Sequence, residues 1–376
     1  MHTDTGFRRI ASVVFFAALP AIVVVAMFLV ASSDDSLSVD FHNELYPEAK
    51  RLLDWENPFP DSHSELWRGH NLIWPPVAAF LVAPFTLLSP GAADWAVAIA
   101  GLLCFMLSLR IVGVRDWRVY GAFTLWPSVI GEIRVSHLTP VLCLLTALTW
   151  RYRDARALPG VAIGLATAIK FFLWPVGVWL AAGGRRGAAG VAALVAGASL
   201  LLVLPFTSID NYVRTLLELG RTFDQESYSP FGFLAQIGVS DAAARGVTFV
   251  LGAALLVACW RRASFGLAVA AALVLSPIVW LDYYAVAGIA LAAVRPRLSA
   301  VWVAPLATWG LLSAGIGAGN GWGSARVLVV FAIVFAEIVR AERRIARAGA
   351  FDTRAAVGSP AARPARPRVD EGLGRS

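Results

Sequence analysis

Charge is what this sequence has little of. Asp, Glu, Lys and Arg make up 15% of its 376 residues, against about 25% in ordinary soluble domains. Hydrophobic residues reach 58%, enough for about ten membrane spans of ~20 residues. No soluble enzyme, disordered chain or coiled coil could hide that much apolar surface, so the chain reads as an all-α, multi-spanning membrane protein. Cysteine is nearly absent. Cys104, Cys143 and Cys259 each sit alone in an apolar run, with no spacing for a disulfide framework, a metal ribbon or a redox pair. Also missing are a P-loop, a dinucleotide fingerprint and an HExxH pair. His42, His63 and His70 share one polar stretch but lack metal-ligand spacing, so no metal site is expected. Nor is there a visible inverted repeat of the transporter kind.

What charge there is lies in informative places. The net charge is +7, and arginines gather at the ends of apolar runs and in the tail (Arg340, Arg343, Arg344, Arg347, Arg354, Arg363, Arg366 and Arg368). That pattern suits anchoring beside anionic lipid, not a nucleic-acid partner. Arg8 and Arg9 precede an uncharged run from Ile10 to Ala31, which reads as a retained first helix with its N-terminus inside. Residues 32–74 follow with nine acids and three bases, a stretch expected as a first outer loop. Apolar runs then come near 75–89, 94–110, 119–131, 138–150, 157–183, 187–206, 246–260, 264–281, 283–294, 299–316 and 323–340. Several are shorter than the ~17 residues of a full span and must be short, tilted or re-entrant. The expected total is eleven to thirteen membrane segments.

Basic clusters at 151–156, 185–186, 261–262 and 295–297 favour the cytoplasmic side. For the first two to share a side, 157–183 must go out and return, with a break near Lys170. Arg110, Arg115 and Arg118 fit badly, because two spans after the first loop would put them outside. A second polar stretch, 208–245, is expected on the side of the first. Residues 1–348 thus form the membrane domain, and 349–376, rich in Ala, Arg, Pro and Gly, read as a disordered basic cytoplasmic tail.

A few residues can carry chemistry. Asp40 lies just past the first helix, where partial desolvation would suit a carboxylate for taking a proton from a hydroxyl; the other reading is that it only solvates the loop. Lys170 sits in the middle of an apolar run. A cation there costs ~3 kcal/mol on insertion scales and needs a partner or a wet cavity. A phosphate would serve, or the side chain snorkels to the interface. Arg134 and His137 occupy a polar interruption, in which Glu132 and Arg134 can be a neutralising pair. Trp280, Asp282 and Tyr283 follow Ser276-Pro277 at the mouth of another run, a level where aromatic residues commonly anchor the interface. Trp74-Pro75-Pro76 reads as a stiff, purely structural start to a span.

Taken together, these pieces resemble glycosyltransferase family 87. The resemblance rests on Asp40-Phe41 with Tyr46, Ala49, Leu52-Leu53 and Asn57-Pro58-Phe59; on Ile73-Trp74-Pro75-Pro76 with Ala83-Pro84-Phe85; and on Ser136-His137-Leu138-Thr139. Gly160 to Lys170 with Trp174-Pro175 and Arg185-Arg186, and Ser276-Pro277-Ile278-Val279-Trp280, complete it. The set runs from residue 1 to about 340. Two departures stand out: Ser136-His137 where the family usually has Gly-Gln, and Asp282-Tyr283 where it often has His-His.

The resemblance implies a bundle of GT-C type in the plasma membrane, with its active site on the extracytoplasmic side. It implies transfer of a sugar, typically mannose, from a polyprenyl-phosphate donor to a glycolipid or glycan acceptor, without a cofactor. A requirement for a divalent cation, and the oligomeric state, stay open. Within that frame Asp40 is the expected base. Lys170, Arg134 and His137 are expected at the donor phosphate, and His42, Trp280, Asp282 and Tyr283 in the sugar or acceptor pocket. Two other classes compete. A lipid or solute transporter predicts internal pseudo-symmetry; an inactive relative predicts that Asp40, Lys170 and Asp282 do not converge.

Overall fold

The computed structural model describes residues 3–59, 74–314 and 320–358. His63, His70 and the tail arginines Arg363, Arg366 and Arg368 lie outside them. Every regular element among the described residues is helical. Five helices are long and apolar enough to cross a membrane, as expected of a polytopic bundle that must satisfy its backbone hydrogen bonds within each segment.

The first of them, α1 (Gly6–Ser33), leads into the acidic stretch, which folds into a π-helical turn at Phe41–Leu45 and a short helix α2 (Tyr46–Leu53). Next comes α3 (Pro76–Leu87), only twelve residues, then α4 (Pro90–Val112). α3 does not cross. Trp74, just before it, donates its indole N–H to Glu44 Oε2 at 3.2 Å, and the Leu88 carbonyl just after it accepts from Tyr46 Oη at 2.8 Å. Both flanks of α3 therefore rest on the same acidic stretch. This overturns the expectation of two spans between that stretch and Arg110. A single crossing, α4, carries the chain to Arg110, where Gly113 at φ 107° closes the helix in the left-handed conformation that glycine adopts freely. Arg118 then pairs with Asp116 at 2.9 Å, and Asp116 accepts the backbone N–H of Leu298. Arg110, Arg115 and Arg118 thus join the other basic clusters at one end of the bundle.

From that end the chain climbs through three short pieces, α5 (Trp117–Thr124), α6 (Pro127–Ile130) and α7 (Glu132–Val135), and descends through α8 (Thr139–Arg151). α9 (Leu158–Ile169) and α10 (Phe171–Ala182) follow, joined at Lys170, whose extended backbone (φ −144°, ψ 118°) is the break that the charge pattern demanded. α11 (Arg186–Val203) runs alongside α9. A Cβ on Gly160 would lie 2.2 Å from the Ala188 carbonyl oxygen, and one on Gly164 would lie 2.8 Å from that of Ala192. Contacts that advance together along both helices mean that they run parallel, so α10 between them runs back and Lys170 marks the apex of a hairpin. Arg185 Nη2 meets Asp154 Oδ1 at 2.7 Å, placing the 151–156 and 185–186 clusters together as expected.

The second polar stretch is mostly helix, not loop. α12 (Ile209–Phe223) is amphipathic and α13 (Pro230–Gln236) is short. α14 (Asp241–Arg262), α15 (Phe265–Leu275), α16 (Leu281–Val294) and α17 (Ala300–Leu311) then alternate between the ends. The last helix, α18 (Gly321–Gly358), continues ten residues beyond the expected tail boundary. Its Ala- and Arg-rich sequence there favours helix. The basic end is cemented by Trp150 stacked on Trp179 at 5.7 Å and by Arg295 paired with Glu337.

Because Gly160 and Gly164 of α9 pack directly on the Ala188 and Ala192 backbone and on Val191 and Val195 of α11, a small-residue packing common in membranes, Gly160→Ala should lose about 1–3 kcal/mol from overpacking. Gly190→Ala, whose Cβ would meet nothing, should be neutral or gain up to about 1 kcal/mol. Thermal unfolding of both variants in detergent checks this, and equal midpoints would contradict the close approach.

Candidate active site

At the end opposite the basic clusters lies a cavity of about 790 Å³. Its charged and polar residues are brought together from stretches far apart in sequence. Asp40 and Glu44 stand one turn apart at the π-helical turn, a geometry frequent at functional sites, and both face the cavity. Trp74 comes from the start of α3, His137 from the turn between α7 and α8, and Lys170 from the apex of the α9–α10 hairpin. The far wall is α12, whose Leu216, Leu219, Gly220 and Phe223 face inward, together with Ser276–Ile278, Trp280 and Tyr283.

Lys170 is nine-tenths buried, and its Nζ has no hydrogen-bond partner. It sits instead between two aromatic faces, 4.0 Å from the Trp74 ring centroid and 3.9 Å from that of Tyr283. Tyr283 in turn stacks on Phe172 at 5.0 Å. The carboxylates of Asp282, Glu132, Asp40 and Glu44 all bear on this ammonium electrostatically. His137 Nε2 contacts Asp40 Oδ2, its Nδ1 lies 3.5 Å from Asp282 Oδ1, and Thr139 donates its hydroxyl to Asp282 Oδ2. Glu132 is buried with both carboxyl oxygens unpartnered. Among the described residues no cluster of His, Cys, Asp and Glu has a metal-holding arrangement.

A cavity that juxtaposes a partly exposed carboxylate with a buried ammonium lacking a hydrogen-bond partner can abstract a proton at one point and bind an anion at another. Residues 72–281, more than half of the chain, match the model of glycosyltransferase family 87. The chain belongs to that family. No curated protein and no solved structure matches it. In this glycosyltransferase the matched segment contains Trp74, His137, Lys170 and Trp280, while Asp40 and Glu44 precede it and Asp282 follows directly after its end.

Of the residues expected to act, Asp40, His137, Lys170, Trp280 and Tyr283 line the cavity, and Asp282 lies behind His137. Arg134 and His42 do not reach it. Arg134 is engaged by Asp34 Oδ2 at 3.3 Å and Ser36 Oγ at 3.0 Å, so the proposed pairing with Glu132 is also absent. His42 Nδ1 meets Asp94 Oδ2 at 2.8 Å on the other side of the π-helical turn. Trp74, which reads in the sequence as purely structural, touches both Lys170 and Glu44. Glu44 could have been found from its spacing of four from Asp40, which puts both on one helical face. Thr139 gave no such signal, since its partner Asp282 is 143 residues away in sequence, and nothing local marks Glu132 as a buried acid without a partner.

Burial pushes the Glu44 carboxyl up to about 7. The charge of Asp40 reinforces the effect, while His137, the Trp74 indole N–H and Lys170 oppose it. Burial does the same to Glu48, also up to about 7, against Arg51. A raised carboxyl binds its proton more tightly in the fold than in the unfolded chain, so stability falls as pH rises from 4.5 towards 7. Glu44→Gln removes that penalty and keeps an acceptor for Trp74. It should raise the unfolding midpoint more at pH 8 than at pH 5; an equal offset at both pH values would refute the assignment.

Proposed function

We propose that this glycosyltransferase moves a sugar, most simply mannose, from a polyprenyl-phosphate donor to a glycolipid or glycan acceptor. The cavity end faces the extracytoplasmic side of the plasma membrane, and the basic end the cytoplasm. The observation that carries the reading is the single cavity shared by Asp40 and Lys170. A polyprenyl-phosphate sugar already holds a good leaving group, so the reaction needs a base for the acceptor hydroxyl and positive charge at the departing phosphate. Asp40 supplies the first and Lys170 the second. Displacement is in line, with inversion at the anomeric carbon.

The rim of the cavity supports a lipid-linked donor. Phe171, Trp174, Val213 and Leu217 line it and are exposed, Leu217 by 59%. Exposed apolar groups on that scale need hydrocarbon beside them, so an isoprenoid tail can lie across the rim while its phosphate reaches Lys170. Trp280 and Tyr283 offer flat faces to the sugar. Convergence of Asp40, Lys170 and Asp282 speaks against an inactive relative.

Transfer of radiolabelled mannose from its polyprenyl phosphate in membranes expressing the protein tests this reading. Asp40→Asn should lower the rate ~10²–10⁴-fold; a folded variant with full activity would defeat the role of base. Lys170→Ala should weaken donor binding by roughly 1.5–3 kcal/mol, about ten- to a hundredfold, and unchanged donor affinity would remove the phosphate clamp.

A further inference from the structure

His137 stands in a turn whose flanking residues, Ser136 and Leu138, both adopt left-handed backbone angles, φ 54° and 62°. Residues with a Cβ avoid that region at a cost of about 1–2 kcal/mol each, so the surroundings must hold the turn. Ser136 Oγ is hydrogen-bonded at 2.8 Å to Ser38 Oγ. Ser38 is itself left-handed at φ 54°, with its N–H donating to the Ile133 carbonyl at 3.2 Å. Asp40 comes two residues later. The serine pair therefore fastens the turn bearing the carboxylate to the turn bearing the imidazole.

Carboxylates flank the imidazole on both sides. Nε2 contacts Asp40 and Nδ1 faces Asp282, which is fixed in turn by the Thr139 hydroxyl. Glu132 from the preceding helix, Glu44 from the π-helical turn and Lys170 from the hairpin complete the charged surroundings. The Trp74 ring packs at 5.9 Å. With Nε2 against Asp40 and the buried Nδ1, which has no hydrogen bond, facing Asp282, a phosphate anion would meet carboxylate charge at either nitrogen.

We propose that His137 is the positioning residue of Asp40, an imidazolium oriented by Asp282 that holds one Asp40 oxygen and leaves the other free for the acceptor hydroxyl. The inference rests on Asp40 being the base. In the reaction the hydroxyl proton passes to the free Asp40 oxygen and the acceptor oxygen bonds to the anomeric carbon. The carbon–oxygen bond to the phosphate breaks, with its electron pair leaving on the phosphate. His137 gains and loses no proton.

The test is the pH dependence of kcat and of donor KM, measured in reconstituted vesicles with polyprenyl-phosphate mannose, for His137→Gln, Asp282→Asn and Asp40→Asn. Gln keeps a hydrogen-bond donor near Asp40 but no charge. It should lower kcat about a hundredfold through misplacement of the base, leave donor KM unchanged, and move the acidic limb of the kcat/KM profile to higher pH. Asp282→Asn removes the group that orients the imidazolium and should lower kcat with donor KM unchanged, and it carries the test if His137→Gln does not fold. A purely structural role would depress activity at every pH without moving the limb, and that result overturns the proposal. A rise in donor KM with kcat held would make His137 a phosphate ligand and also overturn it. If Asp40→Asn is inactive while His137→Gln and Asp282→Asn keep the wild-type profile, only this inference falls; if Asp40→Asn is fully active, the base assignment falls first.

Discussion

Lys170 brings its charge into a bundle that offers it two aromatic faces and no hydrogen-bond acceptor. The cost of placing a cation in such surroundings is ~3 kcal/mol on insertion scales. Two desolvated cation–π contacts return about 2 kcal/mol each, so the two sides are comparable and the buried ammonium is tolerable before any ligand arrives. Its N–H groups stay unused. That residual hydrogen-bonding capacity, directed into a cavity and ringed by carboxylates that cannot all approach it, is the constraint around which the cavity end is arranged.

The fold meets this constraint by stopping helices short. A continuous span through 158–182 would bury Lys170 against hydrocarbon on all sides, whereas the α9–α10 hairpin turns at Lys170 and presents it from an apex. α3 likewise lies along α2 instead of crossing, which brings Trp74 under the ammonium. The left-handed turns at Ser38 and Ser136 do the same for the acid and the imidazole. Each device breaks regular structure where a polar group has to face inward. Backbone strain of this kind persists where the surrounding structure over-determines it.

Much of this was legible in the sequence because charge is so sparse. With few ionisable groups, the pairing of Arg151–Arg156 with Arg185–Arg186 required a turn near Lys170, and the hairpin is there. Hydropathy alone misled at α3: an apolar run bounded by prolines looks like a span, and only Tyr46 and Trp74 reveal that both of its flanks stay at one end. Arg134 and His42, expected at the donor phosphate and in the sugar pocket, each meet a carboxylate outside the cavity, Asp34 and Asp94. The two departures from the family pattern, at 136–137 and 282–283, are 146 residues apart in sequence. In three dimensions His137 faces Asp282 and Lys170 faces Tyr283, so they are two sides of one contact region, a relation that no local spacing encodes.

The exposed hydrocarbon along Phe171, Trp174, Val213 and Leu217 has a kinetic corollary. The proposed lipid-linked donor, if it reaches the cavity over that rim, never has to dissolve in water, so its encounter with the protein is a two-dimensional search. The concentration that governs saturation is then the mole fraction of substrate among the lipids, and diluting the bilayer with inert phospholipid acts as diluting the reaction.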